Sequence, residues 1–343
     1  MNRCSTAVMV GVRPAPDGYN SPGPRPQEAK TVQMELGYDG KLYILAFDHR
    51  GSFQKKMFGI EGDPTPEQTE TISDAKHLIY EGLQKASDQG AEPGVTGCLV
   101  DEQFGAPKHI PQHAKENGLV LAMPVEKSGQ NEFDFDYGDQ FGDHIEQFDP
   151  DFTKVLVRYN PDGDQEMNAR QTERLKRLAD WLHERDRKFL FELLVPAEDA
   201  QLEQVGGDTD RYDAELRPEL MRRTIAEFQE AGVEADVWKI EGIDRREDCE
   251  RIAEQSRTGG RDGVVCVVLG RGANDEKVEH WLQQGAPVEG YTGFAIGRTI
   301  WWDALKAFLD GQLERDAAAD QISRNYLHFV EVYKQAEREA AAA

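Results

Sequence analysis

Eight short apolar runs recur along the chain, and between them lie loops and longer amphipathic polar stretches. The runs are "LYILAFDH" (42–49), "GCLVDE" (97–102), "LVLAMPVE" (119–126), "KVLVRY" (154–159), "FLFELLVP" (189–196), "DVWKIEG" (236–242), "VVCVVLG" (264–270) and "GFAIGR" (293–298). Helical stretches follow several of them, among them "ARQTERLKRLADWLHERDR" (169–187) and "PELMRRTIAEFQEAG" (218–232). Strand alternating with helix demands a parallel sheet, because parallel neighbours need a crossover between them. Eight such units, with no glycine fingerprint loop after the first strand, favour closure over an open doubly wound sheet. The expected fold is α/β, a single (β/α)8 TIM barrel over residues 34–336. Residues 1–33, with "VRPAPDGYNSPGPRPQEAK", are too rich in Pro, Gly and charge to bury a core, and are expected to be a disordered tail. Residues 337–343 read as a frayed helix end.

Strand side chains alternate between two faces, so each run divides in two. In 236–242, Trp238 and Ile240 oppose Val237, Lys239 and Glu241. In 154–159, Val155, Val157 and Tyr159 oppose Lys154, Leu156 and Arg158. In 189–195, Phe189, Phe191, Leu193 and Val195 oppose Leu190, Glu192 and Leu194. In 44–50, Leu45 and Phe47 oppose Ala46, Asp48 and Arg50. The wholly apolar faces should meet the helices, and the faces with charges should point into the barrel. Asp48, Arg50, Lys154, Arg158, Glu192, Lys239, Glu241 and Arg298 then converge at the C-terminal mouth, where barrel enzymes keep their active sites. Salt bridges plugging the barrel are the bland alternative. They suit any one of these residues but not the set, since each buried charge costs several kcal/mol.

A lysine among carboxylates in a closed barrel points to Schiff-base chemistry. An exposed amine, with a pKa of about 10.4, is protonated and not nucleophilic. Burial and a neighbouring cation lower that value and free the amine to attack a ketone. Position makes Lys239 the leading nucleophile, with Lys154 as the second lysine and the neighbouring charge. Glu192, Glu241 and Asp48 are the candidates for moving protons. The last two units add an anion site: "VLGRGAND" (268–275) and "GFAIGRT" (293–299) each end a strand in glycine then arginine. Gly270 and Gly297 would let backbone N–H groups approach a phosphate, and Arg298 would supply a forked charge.

The formal charge of −24 argues against nucleic acid or an anionic membrane as partner. It suits a very soluble protein or one adapted to high salt, and it makes inward-facing cations necessary for any anionic substrate. No apolar run nears the roughly 20 residues of a membrane-spanning helix, and no signal peptide opens the chain, so a cytoplasmic location is expected. Cys4, Cys98, Cys249 and Cys266 are scattered without CxxC spacing and read as buried thiols. In "KHIPQHAK", Pro111 lies between His109 and His113 and should break any shared helical face, so no metal is expected there. His49 is a candidate polar residue of the mouth.

"LYILAFDHRGSF", "LVDEQFG", "PVEKSG", "KVLVRYNPDG", "DVWKIEG" and "GFAIGRTIW" together resemble the C-terminal domain of the inositol-catabolism protein IolC. That domain is similar to class I tagatose-bisphosphate and sulfofructose-phosphate aldolases, and the likeness runs from about residue 41 to about 335. The resemblance implies a class I aldolase barrel cleaving 6-phospho-5-dehydro-2-deoxygluconate to dihydroxyacetone phosphate and malonic semialdehyde. It also implies Lys239 as the Schiff-base lysine, polar active-site roles for Asp48, Lys154, Glu192 and Arg298, and no cofactor. Two loops depart from the family, "YNPDG" for the usual "YHPDD" and "LGRGAND" for "LGL" with a different loop. They bear on the substrate more than on the chemistry. A tagatose-bisphosphate or sulfofructose-phosphate aldolase would keep the same lysine, with Arg50 and Arg158 facing the far end of the substrate. A silent sugar-phosphate-binding barrel would not need a buried amine. The expected partner is a phosphorylated keto-sugar, with a homo-oligomer left open.

Overall fold

The computed structural model describes Met1 and residues 35–342, so the expected tail, Met1 apart, lies outside the described residues. Eight parallel strands close in chain order: β1 (Leu42–Ala46), β2 (Thr96–Leu99), β3 (Val120–Pro124), β4 (Phe152–Arg158), β5 (Lys188–Leu194), β6 (Val237–Glu241), β7 (Val265–Leu269) and β8 (Tyr291–Ile296). β1 bonds to both β2 and β8, which seals the barrel and leaves no sheet edge. The expected (β/α)8 barrel is the fold.

Period-two alternation sorts the core into two shells. Leu42, Ile44, Ala46, Leu99, Val120, Ala122, Phe152, Leu190, Val237, Val265, Val267 and Ala295 fill the barrel interior. Tyr38 closes its N-terminal end with its ring edge on Phe152, centroids 5.2 Å apart. On the outer face Phe191 packs on Trp238 and on Phe228 of the helix Arg217–Glu230. Burial of such a side chain stabilises by about 1.5–3 kcal/mol. The helices start where their chemistry says they should. The Asp164 carboxylate accepts the N–H groups of Glu166 and Met167 to cap Gln165–His183, and Pro218 sits in the first turn of Arg217–Glu230. Cys98 and Cys266 lie in β2 and β7 and, like Cys249, are buried free thiols.

The segment "KHIPQHAK" corrects an expectation. Pro111 opens the helix Ile110–Glu116 instead of breaking one, because an N–H missing from the first turn has no partner to lose. His109 lies outside that helix with φ 56°, and His113 Nδ1 sits 2.9 Å from the Tyr80 hydroxyl. At the other end the helix Arg315–Ala342 takes in residues 337–342 of the stretch expected to fray, and its Glu337 pairs with Lys41. Among the described residues no helix is long and apolar enough to cross a membrane.

Candidate active site

Above the apolar layers the inward positions turn polar. The register puts Glu192 of β5 beside Lys239 of β6 and Leu156 of β4 beside Glu192. Same-face neighbours on adjacent strands lie about 5 Å apart, so these side chains must interact. Asp48 joins them from just past β1. That end is held from behind: Trp301 donates its indole N–H to the Ala46 carbonyl at 3.0 Å, and Lys76 its ammonium to the Phe47 carbonyl at 2.8 Å. The resulting cavity, about 390 Å³, lies at the C-terminal ends of the strands and is large enough for a small sugar derivative.

The two lysines differ in what holds them. Lys154 Nζ lies 2.7 Å from Asp48, 2.9 Å from Glu126 and 3.0 Å from Glu192. Lys239, only 2% exposed, pairs among the described residues with Glu192 alone, at 3.0 Å. Burial works to lower the Lys154 ammonium, but its three carboxylates more than offset that and hold it above the usual lysine range. Burial works to raise Asp48, yet Lys154, with His49 and Lys239, keeps it below the usual carboxylate range. Glu192 is likewise lowered, since Lys154 and Lys239 outweigh its burial. Glu126 goes the other way: burial raises it even beside Lys154 and Arg50. Burial, only partly offset by Asp48, pushes the His49 imidazole down to about 4, so it is neutral near pH 7.

At the β7–β8 end, Gly297 precedes the helix Arg298–Leu309, and a Cβ there would stand 2.5 Å from the Ala46 carbonyl oxygen. Only glycine lets the chain past β8 approach the end of β1 so closely. Arg298 donates to the Arg271 carbonyl at 2.8 Å and is not ion-paired among the described residues. Burial lowers its guanidinium, with Glu192 opposing. At the opposite side, Arg158 of β4 donates to the Gln130 carbonyl at 3.0 Å and is likewise not ion-paired among the described residues.

All the expected site residues line this cavity except Gly270. Gly270 is buried, with Ile296 and Val278 filling the space around its Cα, while Arg271 and Gly272 take the lining position. Glu241 supports the wall: it accepts the Val195 N–H at 3.0 Å and pairs with Arg271 at 3.0 Å. Arg50 is committed too, to Asp136 at 2.7 Å and to the Glu126 carbonyl at 2.6 Å. Glu126, Arg271 and Gly272 were not singled out from the sequence. Glu126 carried a signal, since it continues the inward series Val120, Ala122, Pro124 one step past β3. Arg271 lies in the loop after β7, where alternation ends.

Comparison with known proteins agrees with the fold. A fructose-bisphosphate aldolase from Plasmodium falciparum superposes with TM-score 0.59 over 88% of this chain and 92% of its own, at 13% identity. A Schiff-base-forming fructose-1,6-bisphosphate aldolase gives TM-score 0.51 over 86% and 94%, at 16% identity. In sequence, tagatose 1,6-diphosphate aldolase 2 of Enterococcus faecalis is 24% identical over 79% of this chain and 82% of its own. The Streptococcus pyogenes serotype M1 protein of the same name is 26% identical over 82% and 87%. A family model matches residues 30–337, and the chain therefore belongs to the family described as "Uncharacterized protein conserved in bacteria (DUF2090)".

Proposed function

We propose that this protein is a Schiff-base aldolase that cleaves 6-phospho-5-dehydro-2-deoxygluconate to dihydroxyacetone phosphate and malonic semialdehyde. The observation that carries the reading is the unequal treatment of two buried lysines. Among the described residues Lys154 is held charged by three carboxylates, whereas Lys239 meets one and shares it with Lys154. In the proposed reaction the Lys239 amine adds to the substrate ketone, water leaves, and the protonated imine accepts the electron pair of the breaking carbon–carbon bond. Glu192 contacts Lys239 and would serve the proton transfers at that nitrogen. Asp48, kept ionised by Lys154, would accept hydrogen bonds from substrate hydroxyls. Arg298 and the backbone at Gly272 and Gly297 would receive the phosphate. With Arg50 committed to the wall, Arg158 is left to meet a carboxylate charge for charge.

Borohydride reduction with dihydroxyacetone phosphate, followed by peptide mass spectrometry, tests the reading. The triose should be found on Lys239, and Lys239→Ala should lose at least ~10³-fold in turnover. A reduced chain carrying no triose, with no turnover of any phosphorylated keto-sugar, would leave a sugar-phosphate-binding barrel. Activity abolished by EDTA and restored by zinc would mean a metal-dependent aldolase instead. The curated relatives favour a second reading, a ketose-bisphosphate aldolase with the same lysine. Comparing kcat/KM for tagatose 1,6-bisphosphate, sulfofructose 1-phosphate and the deoxygluconate decides between them.

A further inference from the structure

Glu126 follows β3 on its inward face, and no step above uses it. Its Oε1 lies 2.9 Å from Lys154 and 3.5 Å from Arg50. Its Oε2 is buried with no hydrogen-bond partner among the described residues, on a residue that is 7% exposed and lines the cavity. Leaving a buried acceptor unpaired is unfavourable, a cost that a ligand hydroxyl would recover. Glu126 stands on the β3–β4 side with Arg158, away from Arg298. A substrate whose phosphate lies on Arg298 and whose ketone reaches Lys239 extends its other half there.

A base for the carbon–carbon step must be ionised yet hold a proton well once it takes one. Asp48 and Glu192 are held low by Lys154 and make weak bases, whereas burial raises Glu126. We propose that Glu126 is the catalytic base of this step, its Oε2 taking the proton from the substrate hydroxyl beyond the breaking bond. The inference rests on the Schiff-base reading. In cleavage the O–H bond breaks and its proton passes to Glu126, while the O–H electron pair becomes the second bond of the aldehyde. The carbon–carbon pair moves to the imine, giving a neutral enamine on Lys239. Condensation reverses each movement, with Glu126 returning the proton to the new alkoxide.

Glu126→Gln in the full chain separates this role from the others. Borohydride trapping of dihydroxyacetone phosphate on Lys239 should persist, as should deuterium exchange from water into that triose, both within about threefold of wild type. Condensation of the triose with malonic semialdehyde, or with glyceraldehyde 3-phosphate if that is the aldehyde wild type accepts, should fall about 10²-fold or more. Condensation within tenfold of wild type would overturn the assignment. So would trapping, exchange and condensation all falling together, which would make Glu126 a support for Lys154. Should Glu126→Gln not fold, Glu126→Asp keeps the charge, draws the carboxylate back by one methylene, and is read by the same split. Wild-type protein that traps no triose would overturn the Schiff-base reading itself, an outcome distinct from any of these.

Discussion

Removing Lys154 would strand Asp48 at 2.7 Å, Glu126 at 2.9 Å and Glu192 at 3.0 Å around an empty place in a buried site. Losing one partner of a buried ion pair costs about 3–5 kcal/mol. Lys154→Met should therefore lower the unfolding free energy by at least that range in urea titrations, and a loss under ~1 kcal/mol would show that the cluster is hydrated. The carboxylates should respond to pH in opposite senses. Asp48 is lowered in the folded state, so its contribution is present above the unfolded value of about 3.9 and is lost only as pH falls through the folded value. Asp48→Asn should then cost stability evenly from pH 5 to 8. Glu126 is raised, so its contribution is full below the unfolded value of about 4.3 and fades as pH rises through the folded value. Glu126→Gln should gain on wild type as pH climbs from 5 to 8. Parallel pH profiles for the two variants would contradict the opposite shifts.

At the level of elements, the close approach of Gly297, just past β8, to the end of β1 joins the proposed anion site to the scaffold. The Ala46 carbonyl that a Cβ at Gly297 would strike also accepts the Trp301 indole N–H. Gly297→Ala must push backbone against backbone, an overpacking cost of about 1–3 kcal/mol, with the helix carrying Arg298 displaced. Arg298→Ala should cost about 2–5 kcal/mol in kcat/KM and erase the preference for phosphorylated over unphosphorylated substrate. Arg298→Lys would keep the charge but lose the fork. A preference left intact in the alanine variant would show that Arg298 serves structure alone. These elements also mark how far sequence reaches. Alternation alone puts Lys154 and Arg158 on one face and Val155 and Val157 on the other, because the period is local. The neighbours of Glu192 depend on register across three strands, which local pattern does not encode. "LGRG" and "IGR" look equivalent as text, yet Gly270 is buried while Gly272, at φ 72°, stands beside the Arg298 guanidinium. The difference arises where β7 ends, a matter of tertiary packing.

Across the whole molecule, 64 Asp and Glu face 40 Lys and Arg, but the interior is not where the imbalance lies. Among the described residues the five buried cations Arg50, Lys76, Lys154, Arg217 and Lys239 face seven buried carboxylates, and the two in excess, Asp236 and Asp248, pair with the more exposed Lys188 and Arg245. Most of the 24 surplus negative charges are therefore on the surface, where each carboxylate repels many others over distances longer than an ion pair. Salt acts on the two kinds of interaction unequally. Surface pairs such as Lys176–Asp180 and Lys306–Asp310 are worth about 0–1 kcal/mol each and lose little when screened. The summed repulsion reaches over the Debye length, which shrinks from about 30 Å at 0.01 M to about 3 Å at 1 M. The buried cluster around Lys154 is sheltered from both changes. Stability should accordingly rise with potassium chloride, most steeply below ~0.5 M where screening changes fastest, as read by the midpoint of thermal unfolding at pH 7.5. Sodium chloride should match it mole for mole, since screening depends on ionic strength and not on the cation. A midpoint that is flat or falls over this range would show that surface ion pairs, not net repulsion, govern the charged shell.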